Sequence, residues 1–341
     1  MHIFITGGAG FIGCNSATYF LNKQNDVTIF DNLSRPGAQS NLDWLRQNHG
    51  DSFTFVHGDI RDSAAITAAI TVAQPTAVIH LAGQVAVTTS VHDPRMDFDV
   101  NALGTFNVLE AVRTAAPQAV LLYASTNKVY GGMEDIVITE EPTRYTYRDY
   151  PQGISESYPL DFHSPYGCSK GAGDQYVLDY ARIYGLKTVS LRQSCIYGQR
   201  QFGVEDQGWV AHFIIAAVCH RPFSIYGDGK QVRDLLHVTD LVRLYEKMIL
   251  NGDKVAGQAF NVGGGADNTL SIWREFEPIL SELAGRPIEV DYGDWRPGDQ
   301  HVFIADITKA QNLLDWTPQM SPKAGITDLF HWVTTNKQLF Q

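Results

Sequence analysis

Along the first ~130 residues, short apolar runs alternate with stretches whose apolar positions recur at helical spacing. That is the pattern of a parallel sheet covered on both faces. Strands are predicted at 2–6, 26–30, 53–57, 77–81 and 119–124, and helices at 11–21, 63–72 and 97–115. The order predicts an α/β, doubly wound parallel sheet of Rossmann type with right-handed crossovers. The rhythm breaks at Gly131. Residues 132–163 are rich in Tyr, Pro and charge, a loop long enough to be functional. A helix resumes at 164–184 and a sixth strand at 188–192. Beyond Gly198, helical stretches (207–219, 239–250, 271–284) mix with short strands (223–226, 288–292), which predicts a smaller mixed α/β lobe.

The length of 341 residues suits one large domain plus that lobe. The expected division is 1–198, a dinucleotide-binding domain to which later segments return, and 199–341, a ligand-binding lobe. A formal charge of −11 without any Lys/Arg run disfavours nucleic acid and anionic membranes as partners. Cys14, Cys168, Cys195 and Cys219 show no metal-like spacing, so no metal is expected and the thiols fit a reducing cytoplasm. No apolar run approaches the ~20 residues of a membrane span, and the start lacks the pattern of a signal peptide.

Thr6-Gly7-Gly8-Ala9-Gly10-Phe11-Ile12-Gly13 joins the first strand to the first helix. Gly7 permits a tight turn, Gly10 a close approach of backbone to a pyrophosphate, and Gly13 close helix–strand packing. The phosphates would sit at a helix N-terminus. Asp31, at the end of the second strand, can accept from both ribose hydroxyls and repel a 2′-phosphate, which favours NAD; a turn aspartate is the plainer alternative. Asn32, Ser34 and Arg35 follow it. Asp59-Ile60 after the third strand and Leu81-Ala82-Gly83-Gln84 after the fourth line the edge where such sheets bind ligands.

Tyr166 and Lys170 stand four apart and share one helical face. An ammonium beside a phenol lowers its pKa toward neutrality, making a base for a sugar hydroxyl. The helix start at Ser164-Pro165 suits a cap and a first-turn proline. Thr126, in Ser125-Thr126-Asn127-Lys128-Val129-Tyr130-Gly131 after the fifth strand, offers a hydroxyl to the same sugar oxygen; capping of the strand end is the alternative.

These elements, with Asn101-Ala102-Leu103-Gly104-Thr105, resemble the extended short-chain dehydrogenase/reductases that act on sugar nucleotides. The resemblance covers nearly the whole chain. The stretches 31–35, 125–131, 160–170 and 206–210 are similar to the CDP-tyvelose (CDP-paratose) 2-epimerases. The resemblance implies a tightly held NAD to which Asn101 contributes, a CDP-sugar substrate, Tyr166 as base, Lys170 as its helper and Thr126 as hydroxyl partner. It implies substrate contacts from Gln84, Asn127, His163, Ser194, Cys195, Gln207, Arg233 and Arg296, and a homodimer or homotetramer. Arg233 and Arg296 would hold the diphosphate; ion pairs to Asp234 or Asp299 are the alternative. His163 faces the sugar or caps the helix; Trp209 packs on the base or in the core. Cys195 stands where many relatives carry Asn, and Gly83-Gln84 where small residues are usual.

The chemistry follows from the sugar. C2 has no adjacent carbonyl to acidify its C–H bond, so inversion there needs oxidation to a ketone and return of hydride to the other face. A dehydratase needs an acid/base pair to expel water; in the dehydratases this chain resembles, two carboxylates follow the strand-five hydroxyl, where this chain has Asn127-Lys128. A UDP-sugar 4-epimerase needs the same Tyr, Lys and hydroxyl, and a non-catalytic NAD sensor would not.

Overall fold

The computed structural model describes residues 1–296 and 299–340. Pro297 and Gly298, part of the predicted nucleotide-binding stretch 295–299, lie outside the described residues. Contacts divide the chain into two compact units: Met1–Val129, Phe162–Arg192 and Val242–Phe260 in the first; Tyr130–Asp161, Gln193–Leu241 and the chain from Asn261 onward in the second. The chain passes from one unit to the other several times, and the late segment Val242–Phe260 belongs to the first.

The first unit runs β1 (His2–Thr6), α1 (Phe11–Asn22), β2 (Asp26–Asp31), α2 (Ala38–His49), β3 (Phe53–His57), α3 (Ser63–Ala73), β4 (Ala77–His80), α4 (Val87–His92), α5 (Pro94–Phe98), α6 (Gly104–Ala115), β5 (Val120–Thr126), α7 (Ser164–Tyr184), β6 (Lys187–Gln193) and β7 (Gln258–Val262). The sheet order is β7-β6-β5-β4-β1-β2-β3. Ile5 of β1 stands level with Ile29 of β2 and Ile79 of β4, both parallel. The strand order therefore reverses beside β1, where doubly wound sheets open a crevice at their carboxyl ends. Phe4, Phe30, Val78 and Leu121 from the sheet pack against Ile66 and Ile70 of α3, Val108 and Val112 of α6 and Val177 of α7. Each such side chain contributes about 1.5–3 kcal/mol.

The helix expected at 97–115 is present and continuous, but it is not regular. A π-helical turn, Asp99–Leu103, separates α5 from α6. Wide turns of this kind place an extra residue inward and concentrate at functional sites; here both Asp97 and Asn101 are buried. Helix α2 and strand β7 add to the predicted elements.

A buried ion pair ties α7 to β6. Asp174 accepts from the Arg192 guanidinium at 3.0 and 3.1 Å and from the Ser190 hydroxyl, with Asp174 fully buried. Removing one partner strands the other charge in the core. Asp174→Ala is expected to lose about 3–5 kcal/mol of stability, measured by denaturant titration.

In the second unit, strand Val232–His237 pairs antiparallel with Thr269–Ser271 and parallel with Val302–Phe303 and Cys195–Tyr197. Because Ser271 is paired with Val232, the helix predicted to begin at 271 begins at Phe276. Helices Trp209–Cys219, Phe276–Ala284 and Pro322–Thr335 share a core of Val210, Ile214, Trp273, Phe276, Leu329 and Trp332. Among the described residues no helix is long and apolar enough to cross a membrane.

Candidate active site

The glycine turn between β1 and α1 has the geometry of a phosphate cradle. Gly7 sits at φ +68°, and a Cβ there would lie 2.7 Å from the Ala82 amide nitrogen, so the turn and the β4 end touch through backbone. A Cβ on Gly13 would lie 2.3 Å from the Gly7 carbonyl oxygen. A Cβ on Gly10 would meet only that same oxygen, at 3.1 Å, leaving this face of the turn open. Gly10 is also the N-cap of α1, with no side chain on the helix's first amides. Free amides at a helix start attract an anion. Phe11 and Ile12 form the helix's first turn.

Asp31 closes the turn from β2. Its carboxylate accepts from Ala9 N–H at 3.0 Å and Leu33 N–H at 2.8 Å, and burial pushes its pKa up. The turn-aspartate alternative is thus real, yet each oxygen keeps a lone pair for a ribose hydroxyl. Asn32 donates to Asp59 at 2.9 Å and accepts from Ser34 N–H at 3.0 Å. Arg61 grips Asp59 with two bonds, holding its carboxyl near pKa 2. Ile60 packs against α6, since a Cβ on Gly104 would touch it at 2.5 Å. This donor set, with an open glycine face, an uncapped helix start and a carboxylate at the end of β2, fits a dinucleotide.

The chemical groups belong to the same unit. Tyr166 and Lys170 are both buried on α7, and Thr126 is buried at the end of β5. The Thr126 hydroxyl is hydrogen-bonded to the Tyr166 phenol and receives the Lys128 N–H at 3.2 Å. Asn127 accepts from Thr126 at 3.4 Å. The expected lowering of the phenol is absent. Burial pushes Tyr166 up to about 12 against the opposing pull of Thr126 and Arg35, and it pushes Lys170 down to about 7. The physical reason is desolvation, which in this chain exceeds the charge terms. Lys170 Nζ lies over the Tyr123 ring, 4.3 Å from its centre. Arg35, expected at the cofactor, also bears electrostatically on Tyr166.

Gln84 departs from expectation. Its side-chain N–H₂ donates to Ala86 O at 2.7 Å and to Asp97 at 3.0 Å, and its carbonyl accepts from Ala86 N–H. The amide holds the loop after β4 and turns away from the role of substrate donor. Asn101 is likewise bound, to Gln84 N–H at 3.0 Å, Gln84 O at 2.9 Å and Asp97 at 3.0 Å. His163 is exposed at the N-cap of α7 and makes no capping bond; the Gly167 N–H instead finds Ser164 Oγ at 3.2 Å. Ser164 adopts φ +63°, the left-handed region, one residue before Pro165.

Two further buried residues stand out. Ser125 Oγ is buried without a partner among the described residues, an unsatisfied group beside Thr126. Asp97 is fully buried; a carboxylate four residues before Asn101 on an inward helical position was the available signal.

In the second unit, Ser194 donates to buried Asp234, whose pKa burial raises to about 6. The Trp209 indole donates to Cys195 Sγ at 3.4 Å, and the Trp209 ring packs edge-on against Phe276. Gln207 exchanges backbone bonds with Val204. Arg233 pairs with Asp299 at 2.7 Å. Arg296 reaches Glu205 at 2.9 Å and Asp206 at 3.2 Å, stacked on Tyr226.

A family model described as GDP-mannose 4,6 dehydratase matches residues 4–329. The chain belongs to this family. The CDP-paratose 2-epimerase of Salmonella typhi is 48% identical over 340 residues, covering 98% of this chain and all of that protein. The UDP-glucose 4-epimerase of Thermotoga maritima, solved with UDP-glucose, superposes with a TM-score of 0.83 at 28% identity, covering 99% and 100% of the two chains. The Thermus thermophilus UDP-glucose 4-epimerase, solved with NAD, gives 0.81 at 31% identity over 97% and 98%.

Proposed function

We propose that this chain is an NAD-dependent sugar-nucleotide epimerase that inverts C2 of a CDP-linked sugar, interconverting CDP-paratose and CDP-tyvelose. The observation that carries this reading is the full-length 48% identity to the Salmonella typhi enzyme. The site agrees with it: Tyr166 and Thr126 form a hydroxyl–phenol pair suited to one sugar oxygen, and Asn127-Lys128 follow where dehydration would require carboxylates.

The glycine turn and α1 start would hold the pyrophosphate, Asp31 the ribose, and the Gly83 edge the nicotinamide end. NAD supplies there a cationic hydride acceptor able to return what it takes. Tyr166, which burial keeps protonated in the protein alone, would act as base once ionised, its Oη taking the sugar hydroxyl proton and later restoring it. Thr126 hydrogen-bonds the phenol and stabilises its anion. Lys170, as an ammonium, adds positive charge to a buried wall, and the protein around it excludes water.

The test is turnover of purified protein with CDP-paratose, CDP-tyvelose and UDP-glucose. Exchange of the two CDP-sugars is expected; turnover of UDP-glucose alone overturns the reading in favour of 4-epimerisation, and bound NAD without turnover of any of them favours a sensor. In the second unit, Arg233 would trade Asp299 for a diphosphate oxygen. Losing such charge-assisted bonds removes about 1.5–3 kcal/mol, so Arg233→Ala is expected to raise KM about 10- to 100-fold with little change in kcat. Steady-state kinetics checks this.

Exposed Phe106, Tyr176, Ile183 and Tyr184 on α6 and α7 suit burial against a second copy, giving a homodimer that sedimentation would detect.

A further inference from the structure

Asp97 is a fully buried carboxylate close to the chemical groups, and the mechanism above leaves it unused. One of its oxygens receives the Gln84 and Asn101 side-chain N–H groups, each at 3.0 Å. The other receives the Ser169 hydroxyl. Asn101 cannot be flipped, because its carbonyl accepts Gln84 N–H and its N–H₂ donates to Gln84 O. Two N–H groups and a hydroxyl therefore converge on Asp97, the arrangement of an ionised acceptor. Ser169 immediately precedes Lys170. The space at Gly83 links the two: a Cβ there would lie 3.0 Å from Asn101 Oδ1 and 3.9 Å from Lys170 Nζ.

We propose that Asp97 is a positioning residue for the catalytic pair, pinning the Gln84–Asn101 loop with one oxygen and α7 at Ser169 with the other, and serving as buried counter-ion to the Lys170 ammonium. The other groups around this wall are few. Asp174, on α7, adds negative charge toward Lys170; Arg35 faces Tyr166; His80, held neutral by burial, and the Tyr123 ring lie near Lys170. Asp97 leads the charges that oppose the burial-driven fall of Lys170, and it also disfavours the Tyr166 anion. The sign follows. Deleting this negative charge lowers the proton affinity of both groups, so both limbs of a bell-shaped rate profile move to lower pH. A role in packing alone would lower the rate without moving the limbs.

The direct experiment titrates Lys170 by NMR in cofactor-free protein, with Lys170→Arg assigning the signal. The midpoint is expected near 7 in the parent chain. In Asp97→Asn it should fall by at least about one pH unit, a tenfold loss of proton affinity. Ser169→Ala cuts a hydrogen bond while keeping the charge and should leave the midpoint in place. An unmoved midpoint in Asp97→Asn, or an equal shift in Ser169→Ala, overturns the proposal. Should Asp97→Asn not fold, carboxyl-labelled aspartate in the parent chain carries the test. The Asp97 resonance must then inflect at the Lys170 midpoint and lose that inflection in Lys170→Met; a flat resonance overturns the proposal. The catalytic meaning rests on the epimerase reading, which fails separately, by lack of sugar-nucleotide turnover in the parent enzyme.

Discussion

Tyr166→Phe lowers the rate of epimerisation by about 10²- to 10⁴-fold while the protein retains its NAD, because the substitution removes only the group that carries the proton. The ring stays, so the buried surface of α7 is unchanged. The hydroxyl is not easily replaced. It is the phenol to which Thr126 is hydrogen-bonded, in a place where burial holds it near pKa 12, so a water admitted to the cavity would lack both its position and its shielding. Two measurements made on one preparation decide the matter: the rate of sugar-nucleotide interconversion and the amount of NAD released on denaturation. A Phe variant with the parent's rate would leave the hydroxyl proton to some other base.

The second large effect falls on the glycine turn, and the structure predicts that two alanines there behave differently. A Cβ at Gly13 would press on backbone from two sides, 2.3 Å from Gly7 O and 2.6 Å from Gly8 Cα. Backbone does not swing aside, so Gly13→Ala displaces the turn, destabilises the chain by about 1–3 kcal/mol and abolishes tight cofactor retention. A Cβ at Gly10 meets a single protein atom at 3.1 Å, so the fold tolerates it far better. It nevertheless occupies the open face where a pyrophosphate would approach. Gly10→Ala should therefore keep nearly the parent's melting temperature without ligand and still lose NAD affinity. Calorimetry of the cofactor-free protein and NAD titration separate the two. Equal melting temperatures for both variants would refute the packing role given to Gly13.

The six predicted strands of the main sheet lie within about two residues of those observed, because each is a short apolar run closed by a turn, a signal local to the chain. The glycine turn and the Tyr166/Lys170 pair were legible for the same reason: spacing alone sets which positions share a turn or a face. Other features had no local signal. The π-helical turn at Asp99–Leu103 appears in sequence as an unbroken helix, and only the inward pull of Asp97 and Asn101 on Gln84 marks it. Gln84 looks like a polar residue at a binding edge, whereas its amide is consumed by Ala86 and Asp97. Of the two partners the sequence offered Arg233, Asp234 and Asp299, the structure takes Asp299, since successive side chains on a strand point to opposite faces.

The sequence by itself determined the doubly wound fold and the place of the glycine turn, and it singled out the phenol, ammonium and hydroxyl as candidates, since residue type and spacing carry all of these. The tertiary structure alone decided the state of those groups. Tyr166 rises and Lys170 falls because burial strips water from both, and desolvation depends on every element packed around a side chain, which spacing along the chain does not encode.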